Sequence, residues 1–372
     1  MTLTESEDDI IRTAAPRVTA GRKWIPSEAV QNAKSALHFR DVVGQVQHGR
    51  AGLGLIPKSP LWHEATPVQK RRLVVDEVRR QEEAERYAKA VSMAKQGRWT
   101  NWECLEKRKL SWRDIWEMEG ARLSFVIRAT YDLLPSPQNL KVWYGEDPAC
   151  PLCQTPATLR HILSGCPTSL AQGRYTWRHN QVLRELASTF EQRRTTINAL
   201  PQTSSKKVHV TPFVPAGQPQ GHHPTSKDTS ILQSARDWRL EVDLDKKLVF
   251  PPEIVTTTLR PDMVLWSKAA KLAYVVELTV PWEEGVEEAY ERKKLKYSDL
   301  AAEASQNGWK TLIFPVEVGS RGYVATSTTS LLRKMGVRGR SLQQAIKAVS
   351  NAAEKSSNWL WIKRKDCNWA AK

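Results

Sequence analysis

The clearest periodicity in the chain runs from residue 283 to about 307. There Val286, Tyr290, Lys293, Tyr297, Leu300 and Ala304 recur at alternating steps of four and three. That spacing traces one stripe of an α-helix and predicts a helix with a single buried face. The flanking pattern is different in kind. Residues 255–266 and 271–280 are rich in β-branched and aromatic side chains and predict two strands, and residues 309–318 predict a third. Helical residues then run to the C-terminus. The order strand, strand, helix, strand predicts an α/β domain over 231–372, a mixed sheet flanked by helices.

Earlier in the chain the pattern is helical. Residues 20–140 read as a helical, linker-like region behind a terminus at 1–19 expected to be disordered. Thr66-Pro67 supplies an N-cap and a first-turn proline for a charged helix reaching about Gln96. Trp112, Ile115, Trp116, Leu123, Val126, Ile127 and Tyr131 predict one buried helix, ended by Pro135-Ser136-Pro137. Residues 141–194 hold a cysteine/histidine cluster and a basic helix. Residues 195–230, dominated by Pro, Thr, Ser, Gln and Gly, read as a linker, with His222-His223 as a solvated pair inside it.

Charge narrows the partners. The formal net charge is +16, which draws the chain to polyanions, nucleic acid above all. Residues 331–372 carry ten basic against two acidic side chains, together with Trp359, Trp361 and Trp369, a composition suited to gripping single strands or to a packed helix end. The acidic N-terminus lacks an apolar run, and no stretch approaches the roughly 20 apolar residues of a membrane span. Five cysteines, three of them clustered, do not make a secreted disulfide framework. The expected setting is nuclear or cytoplasmic, neither secreted nor in a membrane.

Two constellations carry chemistry. Cys150, Cys153, His161 and Cys166 have the spacing C-x2-C-x7-H-x4-C, three thiolates and an imidazole, a tetrahedral complement for structural zinc with no open position. In Gly173-Arg-Tyr-Thr-Trp-Arg-His-Asn180, directly after it, Arg174 and Arg178 stand one helical turn apart, a spacing suited to a phosphate backbone or to a solvated basic face.

The second constellation is acidic. Asp262, in the triplet Arg260-Pro261-Asp262, lies in the first predicted strand and Glu277 in the second. If Asp262 stands opposite Glu277, Trp266 stands opposite Ala273, and both carboxylates share one face of a hairpin. Two carboxylates with phosphate and water are what magnesium accepts. Lys293, at the centre of the helical stripe, must desolvate or find a carboxylate or phosphate there, and is the candidate to orient or activate the attacking water. Asp237 and Glu241, assigned to a preceding helical segment, are the reserve acids.

Together these motifs resemble the C-terminal half of site-specific non-LTR retrotransposon polyproteins, the class whose order is reverse transcriptase, helical linker, CCHC knuckle and restriction-like (PD-(D/E)xK type) endonuclease. The resemblance covers roughly residues 100–360. Glu277-Leu-Thr-Val-Pro-Trp-Glu283 and Pro315-Val-Glu-Val-Gly-Ser-Arg-Gly-Tyr323 belong to it. So does the lysine that has moved from the second strand to the following helix: Thr279 stands where the ordinary motif has lysine, and Lys293 precedes Lys296-Tyr297. The resemblance implies a restriction-endonuclease-like fold, zinc on the knuckle, and magnesium on Asp262 and Glu277. It further implies DNA cleavage by these two with Lys293. Arg174, Arg178, His179 and Arg260 are the expected nucleic-acid contacts. Implied partners are a DNA target, the element's RNA, and a separate reverse transcriptase portion, since no aromatic-x-Asp-Asp motif is present. The other expectation is a nucleic-acid-binding remnant in which cleavage has been lost.

Overall fold

A computed structural model describes residues 25–51, 62–108, 110–201, 230–244 and 247–369, with the backbone alone for 42–51. The Gly-Pro-rich segment with His222-His223 lies outside them. Two compact units make up the chain, Met1–Asn101 and Trp102–Lys372.

The first unit is built on α1 (Pro26–Ala51) and α2 (Pro67–Ser92). Thr66 caps α2 in a reciprocal box: its hydroxyl accepts from the Gln69 amide, while the Gln69 side chain accepts from the Thr66 amide. Glu77, buried on α2, accepts from Arg80, Gln81 and Arg40 of α1.

The second unit contains α3 (Trp112–Glu117), α4 (Gly120–Thr130), α5 (Pro137–Tyr144), α6 (Pro167–Ala171) and the long α7 (Arg174–Asn198). The single buried helix expected over 112–131 is in fact two short ones. Trp112 and Trp116 are 77% and 83% exposed, because the chain leaves the helix at Met118 and α3 turns its tryptophans outward.

Four strands follow: β1 (Arg239–Val242), β2 (Met263–Ser267), β3 (Leu272–Thr279) and β4 (Lys310–Glu317), in that spatial order. The first three are antiparallel, and β3 pairs with β4 in parallel. Trp266 faces Ala273, the register expected from the hairpin length. β2 begins only at Met263, because Pro251, Pro252 and Pro261 cannot donate to a ladder and leave the preceding residues irregular. The segment holding Asp237 and Glu241, expected as helix, is instead the edge strand and its approach.

Between β3 and β4 the chain forms α8 (Val286–Lys296) and α9 (Ser298–Gln306), separated at Tyr297. Two further helices close the unit, α10 (Thr326–Lys334) and the long α11 (Gly339–Ile362).

The sheet is covered on both sides. Met263, Leu265, Tyr274, Val276 and Leu278 pack with Val182, Leu183, Leu186 and Phe190 of α7 and with α10 and α11. The alternate residues Val264, Trp266, Ala273 and Val275 pack with Tyr297, Leu300 and Ala304. Because both faces are buried, β2 and β3 read as continuous apolar runs rather than alternating ones. The result is a mixed α/β unit in which helices surround a four-stranded sheet. Among the described residues no helix is long and apolar enough to cross a membrane.

Candidate active site and metal knuckle

The carboxylates meet at the end of the hairpin. Met263 pairs with Val276, so the next step of the ladder places Asp262 beside Glu277. The Asp262 amide donates to Glu277 Oε2 at 3.2 Å. Beyond β1 the ladder also continues by one bond, from the Asp243 amide to the Asp262 carbonyl at 2.8 Å. This brings three acidic residues to the same end of three adjacent strands. Asp243 is one that sequence reasoning passed over in favour of Asp237 and Glu241. Asp237 is committed elsewhere, accepting from Ser267 Oγ and the Ala269 amide.

Glu277 is only 3% exposed, so its charge has to be balanced locally. Lys293 Nζ donates to its Oε1 at 2.5 Å and Lys296 Nζ reaches the same oxygen at 3.5 Å. Tyr297 Oη donates to Oε2 at 2.8 Å. Positions 293, 296 and 297 lie at i, i+3 and i+4, the spacing that turns three side chains to one side of a helix. Burial, then the charge of Glu277, pushes the Tyr297 hydroxyl far above its usual value, which keeps it a donor. Lys294, one step off the stripe, is exposed, as the helical period requires. Sequence reasoning gave neither Lys296 nor Tyr297 a role at Glu277; the signal was there in Tyr297 on the same stripe as Lys293 and Lys296 on its flank.

Asp262 Oδ2 is held from behind. The Leu278 amide donates to it at 2.7 Å, and His179 Nε2 lies 3.3 Å from it and 3.3 Å from the Leu278 carbonyl. His179 Nδ1 faces Asn180 Oδ1 at 3.2 Å, and Asn180 Nδ2 donates to the Leu244 carbonyl, which orients that amide. The three hydrogen-bond partners of the ring, Asp262 Oδ2, the Leu278 carbonyl and Asn180 Oδ1, are all acceptors. Burial pulls the imidazole pKa down, yet the hydrogen bonds with Asp262 outweigh it and the value is raised.

The expected nucleic-acid contacts need correction. Arg174 and Arg178 are 1% and 2% exposed. Arg174 donates to the Lys363 and Asp366 carbonyls and to Gln172, and lies over the Trp369 ring. Arg178 donates to the Leu163 and Val280 carbonyls and to Ser357 Oγ. Their i, i+4 spacing serves the interior, because α11 covers the face that a lone amphipathic helix would leave to solvent. His179 faces Asp262 rather than solvent. Arg260 is exposed, and its carbonyl lies 3.3 Å from Tyr297 Oη.

The cysteine/histidine cluster closes on itself. The three Sγ atoms and one imidazole nitrogen lie within 4.8 Å of one another. Cys150 Sγ is 4.0 Å from Cys166 Sγ, and Cys153 Sγ is 3.2 Å from His161 Nε2. Ligands about 2.3 Å from a tetrahedral ion stand roughly 3.8 Å apart, so the set fits a metal such as zinc. Burial pushes the Cys150 thiol up to about 11. Burial acts the same way on Cys153, but hydrogen bonds from Thr155 hold it below its usual value. Desolvation lowers His161, favouring the neutral ring that ligates.

The cluster is not a separate bead. Cys150, Cys166, Leu159 and Leu163 share one apolar core with Trp282, Leu360 and Trp361. Nearby, Arg321 donates to Glu283 Oε2 at 2.7 Å between the Trp102 and Trp282 rings. The Trp282-Glu283 and Ser320-Arg321 pieces of the sequence pattern therefore meet as a buried ion pair. Neither the protein-family models nor the curated proteins give a match to this chain.

Proposed function

We propose that the second unit is a magnesium-dependent DNA endonuclease with a restriction-endonuclease-like core, of the kind found downstream of the polymerase in non-LTR retroelements, with a zinc knuckle as its structural brace. The observation that carries this reading is the contact of Lys293 Nζ with Glu277 Oε1 at 2.5 Å, beside the Asp262 amide on the other oxygen. Two carboxylates and a lysine from three elements converge at the end of one hairpin. A lysine and a tyrosine that merely neutralised a core glutamate would not require an aspartate at the same point.

The donor set fits a hard divalent cation, with Asp262 and Glu277 as the ligands. When bound, magnesium supplies a polarised phosphate and a water of lowered pKa. The remaining work falls to the chain. Lys293 orients the attacking water and offsets negative charge as it develops on the phosphate. Lys296 and Tyr297 hold Glu277 in place while Lys293 engages substrate. The net charge of +16 draws in DNA, and RNA by the same physics, through counterion release.

A labelled DNA duplex separates this enzyme from a binding protein. The expected outcome is binding in both calcium and magnesium but cutting only in magnesium. Glu277→Ala should abolish cutting while leaving binding within about twofold. Binding without cutting by the wild type in magnesium would assign the chain instead to a remnant that holds nucleic acid.

A further inference from the structure

Arg178 is a fully enclosed guanidinium whose hydrogen bonds go to neutral groups on three elements. Nη1 donates to the Leu163 carbonyl at 2.8 Å and to Ser357 Oγ of α11 at 3.1 Å, and Nη2 donates to the Val280 carbonyl at 3.1 Å. Leu163 lies between the ligands His161 and Cys166, and Val280 follows β3 directly. Desolvation lowers the Arg178 pKa to about 10, so the group stays charged at neutral pH. Leaving a cation in the interior is costly, and a neutral side chain of similar length would fill the space without that cost. What an arginine adds is a rigid planar fork that fixes three carbonyl and hydroxyl groups relative to one another.

Tyr175, one turn earlier on α7, makes the same kind of link. Its hydroxyl accepts from the Cys166 amide at 3.0 Å and lies 3.0 Å from the Ile162 carbonyl. The next residue after Arg178 is His179. Consecutive helical side chains diverge by about 100°. Arg178 therefore grips the knuckle and the end of β3, while His179 reaches Asp262 Oδ2 and the Leu278 carbonyl, each at 3.3 Å. The Leu278 amide completes the arrangement by donating to the same Asp262 oxygen at 2.7 Å.

We infer that the Arg178-His179 pair is a positioning device: it carries the geometry of the metal knuckle to Asp262 and so sets the cation affinity of the carboxylate site. This rests on the nuclease reading for the role of Asp262. The physical link, from the knuckle through α7 to the Leu278–Asp262 hydrogen bond, stands apart from that reading and can be measured without DNA. Groups that orient metal ligands from behind commonly change metal affinity by about 10–100-fold when removed. His179 belongs to that class, and Arg178 acts one step further back.

The test uses the full chain carrying His179→Ala, His179→Gln or Arg178→Lys, with bound zinc and thermal melting measured for each. Glutamine keeps a donor near the Nε2 position. Lysine keeps the charge of Arg178 but not its fork. The first readout is hydrogen exchange at the Leu278 amide without magnesium. It should accelerate in His179→Ala and Arg178→Lys and stay near wild type in His179→Gln.

The second readout is the magnesium concentration giving half-maximal nicking. It should rise about tenfold or more in His179→Ala, with a much smaller loss in rate at saturating magnesium, and His179→Gln should recover most of it. Unchanged exchange at Leu278 in both disruptive variants would overturn the inference, whatever the nicking shows. A lowered maximal rate with an unmoved magnesium midpoint would overturn it too. If the wild type fails to nick while Leu278 exchange responds as expected, the nuclease reading falls and the mechanical link stands.

Discussion

Burying a carboxylate costs several kcal/mol unless partners replace its lost water, and the second unit does this in two different ways. Glu277 accepts hydrogen bonds from Lys293, Lys296 and Tyr297. Glu317 is fully buried at the end of β4, accepts from Ser327 Oγ at 2.5 Å, and has no partner for Oε1. Burial pushes its carboxyl up to about 7 from an ordinary value of 4.5. Because the folded-state pKa is raised, the stabilising contribution is complete below about pH 4.5. It is lost as pH rises through about 7, and amounts to on the order of 3 kcal/mol. Glu317→Gln should therefore gain melting temperature relative to wild type between pH 5 and pH 8. Parallel melting curves across that range would show that Glu317 ionises normally. At this scale the sequence was legible where spacing alone decides geometry, as with Asp262, Glu277 and Lys293. It misplaced Arg174 and Arg178, expected at a phosphate backbone and found buried, since nothing in a basic helix shows which of its faces another helix will cover.

Elements were legible in proportion to how local their causes are. The capping box at Thr66 and the hairpin register of β2 and β3 follow from residues a few positions apart. The break at Tyr297 does not, because a continuous stripe persists through it and the side chain turns inward to reach Glu277. The exposed face of α3 was hidden for a related reason: its tryptophans resemble core residues in composition alone. The knuckle gives the element-scale prediction. Its ligands share a core with Trp282, Leu360 and Trp361, so stripping the metal should destabilise the whole second unit. Chelation should lower the melting temperature of that unit in one transition, and Cys150→Ser should lower it in the same way. A melting profile unchanged by chelation would mean that the cluster holds no structural ion.

For the whole molecule, composition divided the chain at 140, 194 and 230, yet helices, knuckle and sheet from Trp102 onward form one compact unit. Composition records where polar segments fall but not which apolar faces meet across them. The contacts of the knuckle with Trp282 and Leu360 reach across about a third and about half of the chain's length. What unites that long-range packing is the end of the β2–β3 hairpin, where α7, α8 and three strands deliver their polar side chains. The claim that this junction is a hydrolytic centre is tested most directly by nicking of supercoiled plasmid. Wild type should relax the plasmid in magnesium and fail to do so in chelator. Asp262→Ala and Lys293→Ala should each lower the rate by at least about a hundredfold, the scale of one essential charged group at a phosphoryl centre. Equal nicking by wild type and both variants, or none by any of them, would contradict the account.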